Sequence, residues 1–178
     1  MPMMPVDTDN ALVRSLFDKS MSTNGRIGNL YRVMGNAPDM LDAWIGFAWR
    51  LRADCKSPRE LRELLIMRVA QLTQATYEWQ QHWTMALACG VSEEKLLALA
   101  EWSTSSLFTD VERTCLKMAD EMTSGLAVSD DTYAAMSTLF DNEQVIELAL
   151  TVAFYNCVSR VLMALGVPLE DRPFKPGW

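Results

Sequence analysis

The signals that begin and end α-helices recur along this chain, and they constrain its fold more than any other feature. Residues that can cap a helix N-terminus precede five segments: Ser57, Ser92, Thr109, Ser129 and Asp141. Three of them (Ser57, Thr109 and Asp141) are followed three residues later by Glu or Gln, which is the capping-box pattern. Glycines stand where helices should end: Gly90, Gly125 and Gly166. Alternating strand patterns are absent, so the sequence predicts an all-α fold.

The length of 178 residues suits one domain with a full hydrophobic core. We expect the helical domain to span residues 26–170, with an apolar-faced helix at 38–54. The remaining parts are predicted to be a flexible N-terminal segment, residues 1–25, and a C-terminal tail, residues 171–178.

Charge and cysteine usage exclude several classes of partner. The net charge is −7 without a cluster of Lys and Arg, so neither nucleic acid nor an anionic membrane is expected as a partner. The most apolar segment, residues 145–165, is interrupted by Glu147, Asn156 and Arg160, so no membrane span is predicted. The N-terminus lacks a signal-peptide pattern and the four cysteines form no Cys-x-x-Cys pair. These features predict reduced thiols and a cytoplasmic protein.

Glu63 is a candidate proton donor or acceptor. On a helix it shares a face with Ile66, Met67 and Ala70, and a carboxylate in an apolar stripe loses hydration, so its pKa tends to rise. The alternative is structural, because Arg59 lies four residues earlier and can form an ion pair with Glu63.

His82, in the segment YEWQQH, is the only histidine of the chain. Histidine is the commonest general acid or base, and Glu78, one turn earlier on the same face, is placed to orient the ring. The alternative is a core histidine whose ring is satisfied by a carbonyl. A single histidine without a cysteine pair excludes a histidine-rich metal site, and no nucleophile elbow supports a serine–histidine triad. We therefore expect neither a metal nor another cofactor.

Two further polar groups lie in apolar surroundings. Arg68 lies among leucines and must find an anion or carbonyl groups, either within the protein or on a substrate carboxylate. Asn156 and Arg160 lie one turn apart, next to Tyr155. They form either a hydrogen-bond network between helices or, with Tyr155, a contact to substrate.

These features together resemble the carboxymuconolactone decarboxylase family, which shares its all-helical fold with the alkylhydroperoxidase D proteins. The resemblance is carried by RELLIMRVAQLTQATYEWQQHWTMALACGVSEEKLLAL, residues 62–99, and by FYNCVSRVLMALGVPLE, residues 154–170. Peroxidase members carry a glutamate, then a Cys-x-x-Cys pair, then a histidine. Glu63 and His82 match the glutamate and the histidine, whereas Ala75 and Glu78 occupy the cysteine positions.

The missing thiols argue against peroxide reduction, because that chemistry needs one thiolate to attack and a second thiol to resolve the sulfenic acid. The resemblance instead implies a homo-oligomer, a trimer or hexamer, that acts as a cofactor-independent lyase or isomerase on a small carboxylated lactone or oxo acid. His82, Glu63 and Glu78 would perform the acid–base steps, and Arg68 or Arg160 would bind a carboxylate. The alternatives are a hydroperoxidase that uses an isolated cysteine such as Cys89, and a non-catalytic oligomeric binding protein.

The spacing also predicts how Glu63 and His82 meet. They lie on consecutive helices joined near residue 75, which favours antiparallel neighbours. The rise per residue then places them about one and a half turns apart in depth. We expect both to line one cavity or to share a water molecule, without a guaranteed direct hydrogen bond.

Overall fold

The computed structural model describes residues 1–172 and 174–175, and over these residues the chain is helical without a strand. Its helices are listed in chain order: α1 (Ala11–Asn24), α2 (Asn29–Met34), α3 (Pro38–Ala53), α4 (Arg59–Leu72), α5 (Thr76–Ala88), α6 (Glu93–Leu97), α7 (Asp110–Ser124), α8 (Asp130–Leu139) and α9 (Asn142–Leu165). A short 3-10 turn, Leu99–Glu101, follows α6. The predicted all-α fold is confirmed.

Helix α4 forms the centre of the bundle. Every residue from Leu61 to Gln71 is buried, and α4 packs against α5, α7 and α9. A helix that is enclosed on all sides must also bury its polar residues, and these then need partners inside the protein. The candidate site is built around one such residue of α4, Glu63, and its partners.

The connection between α4 and α5 is a Schellman turn. Gln74 adopts φ +54°, the Gln74 amide donates to the Gln71 carbonyl (3.1 Å), and the Ala75 amide donates to the Ala70 carbonyl (2.9 Å). The turn leaves only Thr73, Gln74 and Ala75 between the two helices. The candidate catalytic residues of α4 and α5 are therefore held by adjacent elements.

Most of the predicted helix starts are confirmed. Thr109 and Asp141 form complete capping boxes with Glu112 and Gln144, and the Ser92 and Ser129 side chains cap α6 and α8. The predicted box at Ser57 is wrong, because Pro58 is the N-cap residue of α4. The Arg62 guanidinium donates to both the carbonyl and the hydroxyl of Ser57, which removes that hydroxyl from capping.

The predicted flexible segment, residues 1–25, is instead largely helical. Helix α1 begins after Asn10, whose side chain accepts from the Val13 amide (3.0 Å), and it ends at Gly25 with φ +68°. Val13 and Phe17 are buried in the core at 0% and 1% exposure. The apolar spacing along α1 docks it on the bundle, so this segment belongs to the domain. Of the predicted tail, residues 173 and 176–178 lie outside the described residues.

Helix α9 corrects the prediction that no segment approaches the length of a membrane span. It has 24 residues and a mean hydropathy of 1.6 over its most apolar window, so it is long and apolar enough to cross a membrane. That criterion concerns length and composition only, and core helices also meet it. Its buried side packs on α4 and α7 through residues that include Leu148, Val152 and Val158.

Candidate active site

Glu63 and His82 form a direct hydrogen bond in the core. The Nδ1 atom of His82 lies 2.6 Å from Oε2 of Glu63, and both side chains are 0% exposed. The sequence predicted only that the two residues line one cavity, because the prediction counted the rise along two antiparallel axes. It left out the crossing of the axes and the reach of the side chains. The contact itself joins α4 to α5.

The Glu63 carboxylate is bound on both oxygens, because the Arg59 guanidinium contacts Oε1. The ion pair with Arg59 that the structural interpretation predicts is therefore present together with the contact to His82. Burial alone would raise the pKa of Glu63, but the interaction with His82, and then Arg59 and Arg52, lower it below its usual range. Because an ionised carboxylate only accepts hydrogen bonds, His82 Nδ1 is the donor to Glu63, and a neutral imidazole held in this way carries its lone pair on Nε2.

The Nε2 atom of His82 is buried and makes no hydrogen bond to the part of the chain that the structure describes. His82 lines a small cavity of about 60 Å³. Helix α5 also contributes Tyr77, Glu78 and Gln81 to the lining, and Arg26 and Arg52 line the same cavity. The site therefore offers a basic nitrogen, a carboxyl group and two cations around one small space.

Glu78 differs from Glu63 in its protonation. Burial, the largest cause, raises the pKa of Glu78, and the opposing effects of His82 and Arg52 do not cancel that rise. Its Oε2 atom makes no hydrogen bond to the described residues. The expectation that Glu78 orients the His82 ring is wrong, since Glu63 holds Nδ1. The cavity therefore places a carboxyl group that favours its neutral form near His82, whose partner Glu63 is an ionised carboxylate.

Tyr155 and Arg52 complete the surroundings of His82. The Tyr155 ring packs edge-on against the imidazole, with centroids 4.9 Å apart, and its hydroxyl accepts from Arg52 Nε at 3.4 Å. Burial raises the pKa of Tyr155, which keeps the phenol protonated. Arg52 is not among the residues that the sequence predicts for the site. Its helical spacing from Ile45 and Ala48, which lie on the buried side of α3, is the pattern that could have identified it.

Comparison with known proteins shows what the chain is similar to. Residues 38–121 match the sequence model of the carboxymuconolactone decarboxylase family. The chain is also 26% identical over 110 residues to the uncharacterized protein YdfG of Bacillus subtilis (61% of this chain, 75% of that protein). It is 31% identical over 80 residues to the uncharacterized protein YnjA of Escherichia coli, which is 44% of each chain.

Solved structures show the same fold. The debrominase Bmp8, in a cysteine-to-alanine variant with 2,3,4-tribromopyrrole, superimposes with a TM-score of 0.81 at 21% identity, covering 95% of this chain and 91% of that one. The alkylhydroperoxidase D core of a peroxidase-related protein from Ralstonia eutropha gives a TM-score of 0.80 at 17% identity, covering 96% and 92%. At these identities the likeness establishes the alkylhydroperoxidase D-like fold and nothing finer.

No thiol borders the His82 cavity. Ala75 and Glu78 stand where the resemblance places the redox cysteines, and both are buried in or beside α5. Cys89 caps the far end of α5, and Cys55, Cys115 and Cys157 are likewise absent from the cavity wall. Among the described residues, no group of three or more His, Cys, Asp and Glu side chains is arranged to hold a metal ion.

Arg68 does not reach the cavity, which corrects its assignment as a substrate-binding residue. Its guanidinium binds both oxygens of Asp120, at 2.6 and 2.8 Å, and also donates to Gln71 Oε1 and the Leu99 carbonyl. The carboxylate of Asp120 comes from α7, 52 residues away, so the sequence alone did not show this partner. Arg68 ties α4 to α7 and to the turn that contains Leu99.

Asn156 and Arg160 also lie away from the cavity. Asn156 Nδ2 donates to Thr123 Oγ1 of α7 at 2.9 Å, and the exposed Arg160 donates to Asn156 Oδ1 at 2.7 Å. Arg160 and Thr123 border a separate surface cleft. The alternative of a hydrogen-bond network between helices therefore describes Asn156. Of the three candidates on α9, only Tyr155 lies beside His82.

Proposed function

We propose that this protein is a cofactor-independent lyase or isomerase that moves a proton on a small oxo acid or carboxylated lactone. The observation that carries the proposal is the placement of His82, which lines the cavity, has Nδ1 2.6 Å from Glu63, and has an Nε2 that makes no hydrogen bond to the described residues. A base held in one tautomer by a buried carboxylate is suited to proton abstraction, because the carboxylate stabilises the imidazolium that forms.

The proposed cycle uses the two carboxyl groups differently. His82 Nε2 takes the proton from the substrate carbon, and the released electron pair delocalises onto the adjacent carbonyl oxygen as an enolate. In a decarboxylation the carbon–carbon bond supplies that pair instead, and carbon dioxide leaves. After proton abstraction, the imidazolium of His82 returns a proton to carbon, or Glu78 does so and is then reprotonated from His82. After decarboxylation, neutral Glu78 gives the proton to carbon and is reprotonated from solvent. Two titratable groups whose surroundings shift their pKa values in opposite directions are suited to act as an acid and a base in this way.

Arg52 replaces Arg68 and Arg160 as the proposed carboxylate-binding residue. It borders the cavity, and its Nε bond to Tyr155 holds the guanidinium next to His82. A fixed cation stabilises both the substrate carboxylate and the negative charge that develops on an enolate. Tyr155 is proposed to position His82 and Arg52 and not to react.

Turnover assays of a substrate panel test the proposal. The panel comprises 4-carboxymuconolactone and small 2-oxo and 3-oxo acids, assayed in deuterium oxide for carbon dioxide release and for deuterium incorporation at carbon. His82→Ala should lower kcat at least about 100-fold, since that is the usual contribution of a general base. Cys89→Ser, which changes a thiol on the same helix but outside the cavity, should retain the wild-type rate. Full activity of His82→Ala, or its loss in Cys89→Ser, would refute the assignment.

A further inference from the structure

One face of α5 carries three buried polar atoms that make no hydrogen bond to the part of the chain that the structure describes. They are Glu78 Oε2, Gln81 Nε2 and His82 Nε2, on residues that are 4%, 8% and 0% exposed. Their spacing of three and four residues places them on one side of the helix, and all three residues line the cavity. Buried polar groups are nearly always hydrogen-bonded, so three in one place indicate a bound ligand.

The orientation of the Gln81 amide is fixed by Arg26. The Nη2 atom of Arg26 donates to Gln81 Oε1 at 2.7 Å. Because a guanidinium has donors only, the amide oxygen must face Arg26 and the amide nitrogen must face away from it. Gln81 therefore presents two N–H donors beside His82, which presents an acceptor.

We infer that Gln81 binds the carbonyl oxygen of the substrate, which becomes the enolate oxygen, and that Arg26 positions Gln81 for this role. The inference rests on the proposed function and names the substrate class more closely, as a compound with an acidic C–H next to a carbonyl. Such a compound places an acceptor oxygen two bonds from the carbon that carries the acidic hydrogen, on the adjacent carbonyl carbon. The paired donor and acceptor at residues 81 and 82 match this arrangement.

The proposed role of Gln81 is to bind the oxygen on which negative charge develops. When His82 breaks the C–H bond, its electron pair forms the carbon–carbon double bond of the enolate, and the carbonyl π pair moves onto oxygen. A neutral amide donor and the Arg52 cation both bind that oxygen more strongly as it becomes negative, which is the condition for lowering a barrier. The proton returns from His82 or Glu78 to carbon, and the amide regains its initial state.

The size of the cavity limits which part of the substrate it encloses. Its volume of about 60 Å³ is well below the roughly 150 Å³ of a cavity that holds benzene. The enclosed space therefore suits a planar end of a few atoms, such as an oxo-acid group, and not a whole ring. Pyruvate and oxalate, which resembles the planar enolate of an oxo acid, are suitable probes.

The test measures oxalate binding by titration calorimetry and deuterium incorporation into pyruvate, both with the full chain. Gln81→Glu keeps the shape of the side chain and an oxygen for Arg26, but it replaces the donor by an acceptor. We expect it to weaken oxalate binding about 10- to 100-fold, the loss of one hydrogen bond to a charged group. Arg26→Gln should cause a smaller loss, and Arg26→Lys should restore part of it. Gln144→Glu, at a capping-box position of α9 that accepts either residue, should bind as wild type does.

The two readouts separate the inference from the proposed function. Oxalate binding that depends on Gln81, without any deuterium incorporation, supports the anion site and refutes the proton-transfer function. Deuterium incorporation that depends on His82 but keeps its KM and kcat in Gln81→Glu overturns the inference and leaves the function standing. Absence of oxalate binding to the wild type at millimolar concentration also overturns it, because water alone would then satisfy the three atoms. Thermal unfolding of each variant confirms that a loss of binding is not a loss of fold.

Discussion

Glu63 and Glu78 lie near the same histidine, yet their surroundings drive their protonation in opposite directions. Glu63 has two cationic or hydrogen-bonding neighbours in contact, and its pKa is lowered despite burial. Glu78 lacks such contacts to the described residues, and burial raises its pKa. The difference arises from contacts across helices and not from position along the sequence, since both residues lie on buried helices.

The two carboxyl groups should therefore affect stability with opposite signs. Because the pKa of Glu63 is lowered, its contribution is present above the unfolded-state pKa of about 4.3 and is lost as the pH falls through the folded-state value. Glu63→Gln should cost about 3 kcal/mol at pH 7, since it leaves a buried pair without its anion, and less in acid. Urea unfolding from pH 4 to pH 8 measures this change.

Because the pKa of Glu78 is raised, its neutral form is favoured by folding, and stability falls as the pH rises from the unfolded-state value toward the folded-state value. Glu78→Gln should match the wild type at pH 4 and exceed it at pH 8 by on the order of 1 kcal/mol. The same urea series serves both variants, and each is the control for the other. Equal effects of the two substitutions at every pH would contradict the opposite protonation of the two groups.

The sequence singled out Glu63, His82 and Glu78, which the structure brings together, and also Arg68, which lies away from the cavity. Glu63 and His82 could be predicted because each is a polar residue in an apolar stripe and because their spacing matches that of the family which the sequence resembles. Arg68 met the same criterion, yet its partner Asp120 comes from another helix. Arg26, Arg52 and Gln81 gain their meaning only from tertiary contacts, which a single sequence does not reveal.

At the scale of elements, local chemistry predicted the helix ends better than it predicted which segments join the core. Four of the five predicted caps act as such, because a capping side chain bonds within its own turn. Helix α1 was missed although Asn10 and Gly25 bound it by the same rules. Docking of α1 depends on a surface formed by distant segments, and that surface is not a local property.

Two glycines allow a matched test of these helix assignments. Gly166 ends α9 with φ +60°, whereas Gly46 lies inside α3, and neither has an atom within 4 Å of an added Cβ. Gly166→Ala should destabilise the protein by about 1 kcal/mol, because an L side chain strains the left-handed region. Gly46→Ala should stabilise it by about 0.5–1 kcal/mol, because alanine favours a helix interior. Thermal unfolding measures both, and shifts of the same sign would contradict the assigned backbone at one of the two sites.

At the scale of the whole molecule, α9 leaves an apolar side uncovered within a single chain. Only 44% of its most apolar window is buried, and Ile146 and Leu150 are 58% and 40% exposed. Ala153 and Cys157 continue the same exposed side at helical spacing. A continuous apolar surface of this kind marks a contact with another molecule, and a second copy of the chain is the occupant that we predict.

Light scattering without detergent should therefore give a mass above the 20.1 kDa of one chain at micromolar concentration. Leu150→Lys should lower that mass, because it places a charge on the apolar side of α9. Leu97→Lys changes a residue that is 53% exposed on α6 and should leave the mass unchanged. A monomer in the wild type would contradict the predicted homo-oligomer.

The proposed cytoplasmic location would be contradicted by recovery of the protein only with membranes.

Nitrogen-15 NMR of the imidazole tests the central claim most directly, because His82 is the only histidine and gives one unambiguous pair of signals. We predict that neutral His82 carries its proton on Nδ1, bonded to Glu63, and leaves Nε2 as a free base toward the cavity. Glu63→Gln should weaken or abolish this preference, whereas Gln144→Glu should preserve it. A neutral imidazole protonated on Nε2, or a tautomer that is indifferent to Glu63→Gln, would contradict the proposed role of His82 as the base.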